Sequence, residues 1–465
     1  MKKRLQIQNL TISDISSKGL GIGKQDEMVY FVNHAIPGDV VDIEITKKKS
    51  NYREGQIIAI THPSKDRITA KCTHFGTCGG CKWQHLGYET QSKYKEQMVF
   101  NALERIGKIE NVYGLPIIPS DFIWAYRNKM EYTFSNKKWL TNEEIKSGAD
   151  FDRDAVGFHI SGAFDKVLHV DKCYLQDDLS NRIRQYIFDF AKENLVPFYD
   201  IKNHTGVLRN LIVRLSGTTN DKMIVLSVAQ FTDAISKLLG LIQIEFPELT
   251  SIQYVVNSKK NDTISDLDVE TYYGSDFITE KIEDVLFYIG PKSFYQTNSL
   301  QTLKLYNVIR DFADLKPTDS VFDLYTGVGT IALFLAKNVK QVLGIEYLES
   351  AVVDAQNNAR QNNIENAFFL AGDMKALLTD GLIEKYFLPD IIILDPPRAG
   401  IDKEVIDQLL KIKAPSIVYV SCNVGTQARD LELLSSLYQV EKTQPVDMFP
   451  HTIHVESVVK LILKS

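Results

Sequence analysis

No stretch of this 465-residue chain is apolar over the roughly 20 residues that a membrane span requires. The opening Met1-Lys2-Lys3-Arg4 runs into mixed polar sequence, without the apolar core of a secretory signal. A cytoplasmic location is expected, and there disulfides are disfavoured. No internal repeat and no low-complexity tract is present, which excludes solenoids and fibrous assemblies. A positive charge excess is missing too. The chain holds 53 Lys and Arg against 59 Asp and Glu, a formal net charge of -6, so overall charge does not advertise nucleic acid. Hydrophobic content of 44% and charged content of 24% are ordinary for a globular protein, and this length predicts two to four domains.

The charge that is present is unevenly placed. Residues 1–100 carry 15 basic and 10 acidic side chains, whereas the remaining 365 carry 38 and 49. A mildly basic front on an acidic body points to a polyanionic partner at the amino-terminal end. Lys47-Lys48-Lys49 and Arg53 fall at a predicted hairpin loop, where such runs are usually solvated turns.

Cysteine is scarce, at five residues, and the five divide in two. Cys72, Cys78, Cys81 and Cys173 follow the pattern C-x5-C-x2-C-x91-C, with a Cys-Gly-Gly-Cys turn at 78–81. In a reducing compartment such a set reads as metal or cluster ligands. Zinc and an iron–sulfur cluster both accept four thiolates, and spacing does not choose between them. Cys422 stands apart, at the end of the apolar run Ser416-Ile417-Val418-Tyr419-Val420. A free cysteine is ordinarily a small buried hydrophobe. Its strand-end position favours a nucleophile instead.

Residues 1–61 read as a small β-barrel, with strands near 5–12, 28–32, 40–45 and 56–60 punctuated by Gly19, Gly21, Gly23 and Pro37-Gly38. Residues 62–290 read as an α+β central domain. It opens with the cysteine cluster at 62–85 and a helix at 88–106. Strands follow near 126–135, 208–215, 223–230, 252–257 and 285–289, with helices near 178–195 and 232–241. From 291 to 465 the pattern is regular βα. The whole is a multidomain α/β protein.

The βα part carries the chemistry at its strand ends. Val321-Phe322-Asp323-Leu324-Tyr325 leads into the glycine turn Thr326-Gly327-Val328-Gly329-Thr330, and Ile391-Ile392-Ile393-Leu394 leads into Asp395-Pro396-Pro397-Arg398. Parallel α/β sheets bind ligands at such carboxyl ends. The glycine turn lacks the third glycine of the dinucleotide fingerprint. Glu346 ends the next strand, suited to a ribose diol, and Asp373 the one after, suited to a purine edge. Acids at successive strand ends without a pyrophosphate loop point to a nucleoside cofactor such as S-adenosylmethionine. Ordinary helix capping is the competing reading, more so for Asp373 than for Glu346.

These motifs resemble, over the whole chain, the RumA/TrmA-type RNA uracil-C5 methyltransferases. The resemblance implies that residues 1–61 are a TRAM domain, an OB-like RNA-binding barrel. It implies a central domain, 62–290, in which Cys72, Cys78, Cys81 and Cys173 hold a 4Fe–4S cluster, and a Rossmann-like S-adenosylmethionine-dependent methyltransferase domain, 291–465. In that family the segment after the cluster can pack with the catalytic domain, a place open to helix 88–106. Tyr126-Arg127-Asn128-Lys129 resembles a central-domain motif. Phe294-Tyr295-Gln296-Thr297-Asn298 resembles the cofactor-entry motif, with Gln296 a cofactor contact and Phe294 near the target base. Tyr325, Thr330, Glu346, Asp373 and Asp395 fall at cofactor positions. Ser421-Cys422-Asn423 matches the nucleophile motif, and His454-Val455-Glu456 the segment carrying the general base, Glu456. Arg398 is either a phosphate contact or a loop cap. The cysteine set and the barrel favour 23S rRNA over tRNA as the target, and no protein partner is evident.

The chemistry needs these residue types. C5 of uracil is too poor a nucleophile to take a methyl group from a sulfonium, and a thiolate added at C6 turns it into an enolate carbon. A thiol partly ionised near neutral pH is expected to do this and to leave afterwards. A carboxylate then removes the C5 proton. The base must be unstacked for the thiol to reach it. Three rivals use parts of the same pattern. An Asp-Pro-Pro-aromatic amino methyltransferase would have an aromatic where Arg398 stands. An iron–sulfur electron carrier would need flavin or nicotinamide features. A catalytically dead RNA-binding relative would not keep Cys422 and Glu456.

Overall fold

The structure, a computed structural model, describes residues 5–110 and 113–464. Strands Gln6–Ile15, Gly21–Gln25, Met28–Asn33, Tyr52–His62 and Val40–Lys48 close, in that spatial order, into a barrel. Alternate residues point inward, and Leu10, Ile12, Tyr30, Val32, Val41, Ile43 and Ile45 fill the interior. Gly21–Gln25 escapes the sequence pattern because its inward positions are glycines.

The second body is a seven-stranded sheet in the order Val269–Gly274, Ser251–Val256, Lys222–Val228, Leu208–Leu215, Lys129–Ser135, Ala155–Ile160, Ala163–His169. Helices Asp178–Glu193 and Asp233–Glu245 cover one face through Ile183, Ile187, Leu238, Leu239 and Ile242. From the other face Ile212, Met223, Val225 and Val255 join the core of the carboxyl-terminal body. The hairpin Ala155–Ile160/Ala163–His169 and the edge strand Val269–Gly274 do not follow from the apolar pattern, since five of the edge strand's six residues are exposed.

The third body is a seven-stranded sheet in the order Ala367–Ala371, Gln341–Glu346, Ser320–Leu324, Ile391–Leu394, Ser416–Ser421, Glu456–Leu463, Tyr438–Val446. The first five are parallel. Ile391–Leu394 is buried throughout, as expected of a strand covered on both faces. Glu456–Leu463 runs antiparallel to both of its neighbours. Its first residue therefore lies at the same rim as the carboxyl ends of the parallel strands. Helix Tyr88–Arg105 packs into this body, with Val99, Ala102 and Leu103 in one core with Tyr419 and Leu431. Trp83 and Leu86, both fully buried, cluster with Ile15 and Ile36 of the barrel and with Ile453, so the bodies share apolar seams. Among the described residues no helix is long and apolar enough to cross a membrane.

Candidate active site

The site forms where the sheet reverses direction. Ser421 pairs with Ser457 across the antiparallel step, which sets Cys422 and Glu456 side by side at the rim. Cys422 ends its strand, and Asn423 caps the following helix, Val424–Leu434, its Oδ1 accepting from the Gly425 and Thr426 N–H groups at 3.1 and 3.4 Å. The thiol thus sits by a helix amino terminus, where negative charge is favoured. The Asn423 amide donates to the Arg398 carbonyl at 2.9 Å, and the Thr426 hydroxyl donates to it at 3.2 Å. This tie holds the Asp395–Arg398 loop over the cysteine.

Burial pushes the Cys422 thiol up to about 11, the Glu456 carboxyl beside it adds to the rise, and the Arg398 guanidinium pulls it back in part. Burial likewise raises Glu456 to about 8, with Asp395 adding and Arg398 opposing. Asp395 rises to about 7 through burial and the proximity of Asp323. Asp323 rises to about 7 for the same first cause. Its Oδ2 accepts from the Thr326 hydroxyl at 2.5 Å and the Ala332 N–H at 3.0 Å, whereas its Oδ1 is buried without a partner. Asp323 was visible in sequence only as part of a strand; in the structure it is fully buried and close enough to raise Asp395.

Of the other residues expected at the cofactor, Tyr325, Thr330 and Glu346 lie at or beside the glycine turn. Gly327 has φ +58°, and a Cβ there would meet nothing within 4 Å, so open space lies over the turn. Gly329, at φ +80°, is packed instead, since its Cβ would approach Ala355 and Phe369 at 3.0 Å. Glu346 Oε2 accepts from the Gly327 N–H at 3.1 Å and Oε1 from the Leu348 N–H at 3.0 Å, at the edge of that space. Tyr325 holds the left-handed φ of +67°. Thr330 and Asp373 also have local structural tasks. The Thr330 hydroxyl accepts from Tyr306 at 2.7 Å, and Asp373 caps helix Met374–Leu377 by accepting from Lys375 N–H at 3.0 Å. Asn128 positions the Gln296 segment, its amide donating to the Gln296 carbonyl and the Ser299 hydroxyl, both at 2.8 Å. Open space, buried acids and an orphaned carboxyl oxygen suit a cationic nucleoside. Phe294 is 67% exposed, free to stack on a base.

A cavity of about 660 Å³ opens over Cys422. Its floor is Arg398, Cys422, Asn423 and His454; one wall is helix Tyr88–Arg105 through Asn101 and Arg105; the facing wall is the barrel segment Asp14–Lys18. Lys18 also lines a second cavity of about 280 Å³ with Lys82, His34 and the Cys78–Gly79 turn. The lysine run at the other end of the barrel lines neither, and Lys47 is paired with Glu54 at 3.0 Å.

Cys72, Cys78, Cys81 and Cys173 share one neighbourhood. Burial pushes the Cys81 thiol up to about 12, with Cys173, Cys78 and Cys72 each adding to the rise. Cys173 is raised by burial and then by Cys78 and Cys72. Among the described residues, though, no three His, Cys, Asp or Glu side chains are grouped as around a single metal ion.

The carboxyl-terminal body is an S-adenosylmethionine-dependent methyltransferase fold, and barrel residues share a cavity with Cys422 at its rim. Residues 2–58 match the TRAM domain, and residues 248–464 match the family described as tRNA (Uracil-5-)-methyltransferase. An uncharacterized RNA methyltransferase of Bacteroides thetaiotaomicron is 49% identical over 456 residues, covering 97% of this chain and 100% of its own. Another, of Porphyromonas gingivalis, is 46% identical over 461 residues, covering 97% and 99%. The solved Pyrococcus abyssi tRNA (uracil-54, C5)-methyltransferase, in complex with S-adenosyl-L-homocysteine, has a TM-score of 0.76 at 27% identity, covering 98% of this chain and 100% of its own. The chain belongs to the tRNA/RNA uracil-5-methyltransferase family, with a TRAM domain at its amino-terminal end, and its substrate is RNA.

The position of Lys18 between the two cavities yields a test. Lys18→Ala should weaken RNA binding and reduce the slope of log affinity against log salt by about 1, as for one lost phosphate contact. Triple replacement of Lys47, Lys48 and Lys49 by Ala should do less per residue. Filter binding at matched salt measures both, and the reverse ranking would put the RNA path on the hairpin.

Proposed function

We propose that this protein methylates C5 of a uridine in RNA through a covalent bond between Cys422 and C6 of the base, with Glu456 as the general base. The observation that carries this reading is the Ser421–Ser457 pairing, which sets the Cys422 thiol beside the buried Glu456 carboxyl. Arg398 and the helix amino terminus draw the thiol toward thiolate. The thiol gives its proton to water, the thiolate adds at C6 and makes C5 nucleophilic, and C5 bonds to the methyl group that S-adenosylmethionine would supply as a sulfonium, the neutral thioether being the leaving group. Glu456 removes the C5 proton, the 5,6 double bond re-forms, and the thiolate leaves. Gln296, Tyr325, Glu346 and Asp395 hold the cofactor beside the Gly327 turn, with Thr330 and Asp373 at the turn's margins. Phe294 stacks on the unstacked base.

Our reading of the target is 23S rRNA, which follows from the resemblance of the cysteine set and the barrel. tRNA is the second reading. A relative named as a tRNA methyltransferase matches the whole chain, barrel region included, so domain content alone does not decide. Mapping methyluridines by mass in rRNA and tRNA from cells lacking the protein distinguishes the two.

Cys422→Ala should abolish turnover and any covalent adduct with 5-fluorouridine RNA, in which C5 carries no removable proton. Glu456→Gln should still add and methylate, and the adduct with ordinary uridine should accumulate on denaturing gels. Activity in the alanine variant, or lost activity without an adduct in the glutamine variant, would refute the two roles respectively.

Glu456 is useful as a base only when ionised. With its carboxyl raised to about 8 in the free protein, kcat/KM should fall as pH drops through about 8. A profile flat from pH 6 to 9 would remove Glu456 from the rate-determining chemistry.

We also propose that Cys72, Cys78, Cys81 and Cys173 hold a 4Fe–4S cluster, on the strength of four thiols sharing one neighbourhood. Anaerobically purified protein should be brown, with about four irons per chain. One zinc and no iron would refute the cluster and leave the methyl-transfer reading intact.

A further inference from the structure

The segment 447–451 leads toward Glu456, and its carbonyls are held one by one from distant parts of the chain. Asn298 Nδ2 donates to the Met448 carbonyl at 3.1 Å. Lys95 Nζ donates to the Phe449 carbonyl at 2.9 Å. Tyr126 Oη donates to the Pro450 carbonyl at 3.1 Å. The backbone N–H groups of Lys82 and Trp83, just past Cys81, both donate to the His451 carbonyl, at 2.9 and 3.0 Å. Gln91 Oε1 accepts the His451 N–H at 2.9 Å, and its amide nitrogen lies 3.2 Å from His451 Nδ1. Trp124 stacks on the His451 ring at 3.9 Å. This clamp keeps His451 at a left-handed φ of +66°, which a side-chain-bearing residue adopts only under constraint.

The anchor is an ion pair wholly out of water. Lys95 Nζ lies 2.7 Å from Asp447 Oδ1, and both side chains are fully buried. Asp447 Oδ2 accepts from Tyr88 Oη at 3.0 Å, and Oδ1 also accepts the Phe449 N–H at 3.0 Å. Burying two charges costs more than burying two apolar groups of the same size, so stability alone is a poor reason for the pair. It does fix a geometry. Three residues beyond His451 is His454, on the cavity floor, and two further on is Glu456.

We infer that Lys95 and Gln91 are positioning residues for the general base: through Asp447 and His451 they fix the segment 447–455, and with it the Glu456 carboxyl, against C5 of the target uridine. The inference rests on the reading of Glu456 given above. It makes base placement a joint product of helix Tyr88–Arg105, the cysteine-bearing segment and the Tyr126–Asn128 motif. The catalytic sheet does not set it alone.

The test pairs Lys95→Met/Asp447→Asn, which removes both charges together, with Gln91→Met, which removes none. A 23S rRNA transcript and a tRNA transcript, each with uridine or 5-fluorouridine, serve as probes. Both variants should fold, bind RNA and cofactor with wild-type affinity, and form the 5-fluorouridine adduct. Elimination from uridine RNA should slow about 10- to 100-fold, as expected for small displacements of a catalytic group. kcat should fall at unchanged KM, and the covalent complex should accumulate as in Glu456→Gln. Wild-type turnover in the folded variants, loss of RNA affinity in place of elimination, or failure of both variants to fold would each overturn the inference. If Glu456→Gln itself builds no adduct, the base assignment fails. If it does and the Lys95 and Gln91 variants do not, this inference alone fails.

Discussion

Exclusion of water from the carboxyl ends of the catalytic sheet is the constraint on which the rest of the site depends. Asp323, Asp395 and Glu456 are pushed to about 7, 7 and 8, and the Cys422 thiol to about 11, in each case first by burial. Arg398 is the cation that opposes the rise at Glu456 and Cys422, and it does not win. A cluster of acids that gives up hydration in this way favours a cationic guest, and a sulfonium is one. The same displacement has a folding consequence. At a pH below its ordinary value of 4.5, Glu456 is protonated whether folded or not. As the pH rises toward 8 the unfolded chain loses that proton and the folded protein keeps it, so this group makes stability fall across the window. The fold must therefore draw its stability from elsewhere, and the apolar cores that run between the bodies supply it.

Sheet direction decides which groups meet. In an all-parallel sheet, the residue beginning a strand lies at the opposite rim from the residue ending its neighbour. Reversing Glu456–Leu463 brings a strand start beside a strand end, so residues 34 positions apart become neighbours. Nucleophile and base then depend on one ladder register. A slip by one residue would turn Glu456 to the other face of the sheet.

What was legible in the sequence follows from this geometry. Ile391–Leu394 reads as a strand because both of its faces are buried, and a cysteine, an aspartate and a glycine turn at strand ends read as a ligand rim. The barrel was legible from its inward alternation, except at Gly21–Gln25, where glycines take the inward places. The edge strand Val269–Gly274 was hidden because it is mostly exposed and carries no pattern. The upward push that burial gives the Cys422 thiol could not be read from sequence, since a free-cysteine value carries no burial. Lys95 and Asp447 could not be joined from sequence: 352 residues separate them, and a lysine in an amphipathic helix reads as surface. Lys18, which lines both cavities, was not singled out in the sequence, because charge density along a chain does not show which loop lies near Cys422.

An acidic chain that acts on a polyanion must confine its positive charge to the path of the substrate. Lys18, Lys82, Arg105 and Arg398 line the two cavities, and Asp14 is the acid among the lining residues. The barrel contributes Lys18, the cysteine-bearing segment Lys82, the buried helix Arg105 and the catalytic loop Arg398. Each of these segments also packs against or clamps the stretch leading to Glu456, or is tied to the Cys422 loop. The segments that carry these cations are thus the same pieces of chain that brace the stretch before Glu456 and the Cys422 loop. A rigid-body shift of the barrel or of the cysteine-bearing segment would move Lys18 or Lys82 relative to Cys422, and buried seams such as Trp83 against Ile15 and Ile453 oppose such a shift in a way that a flexible linker would not.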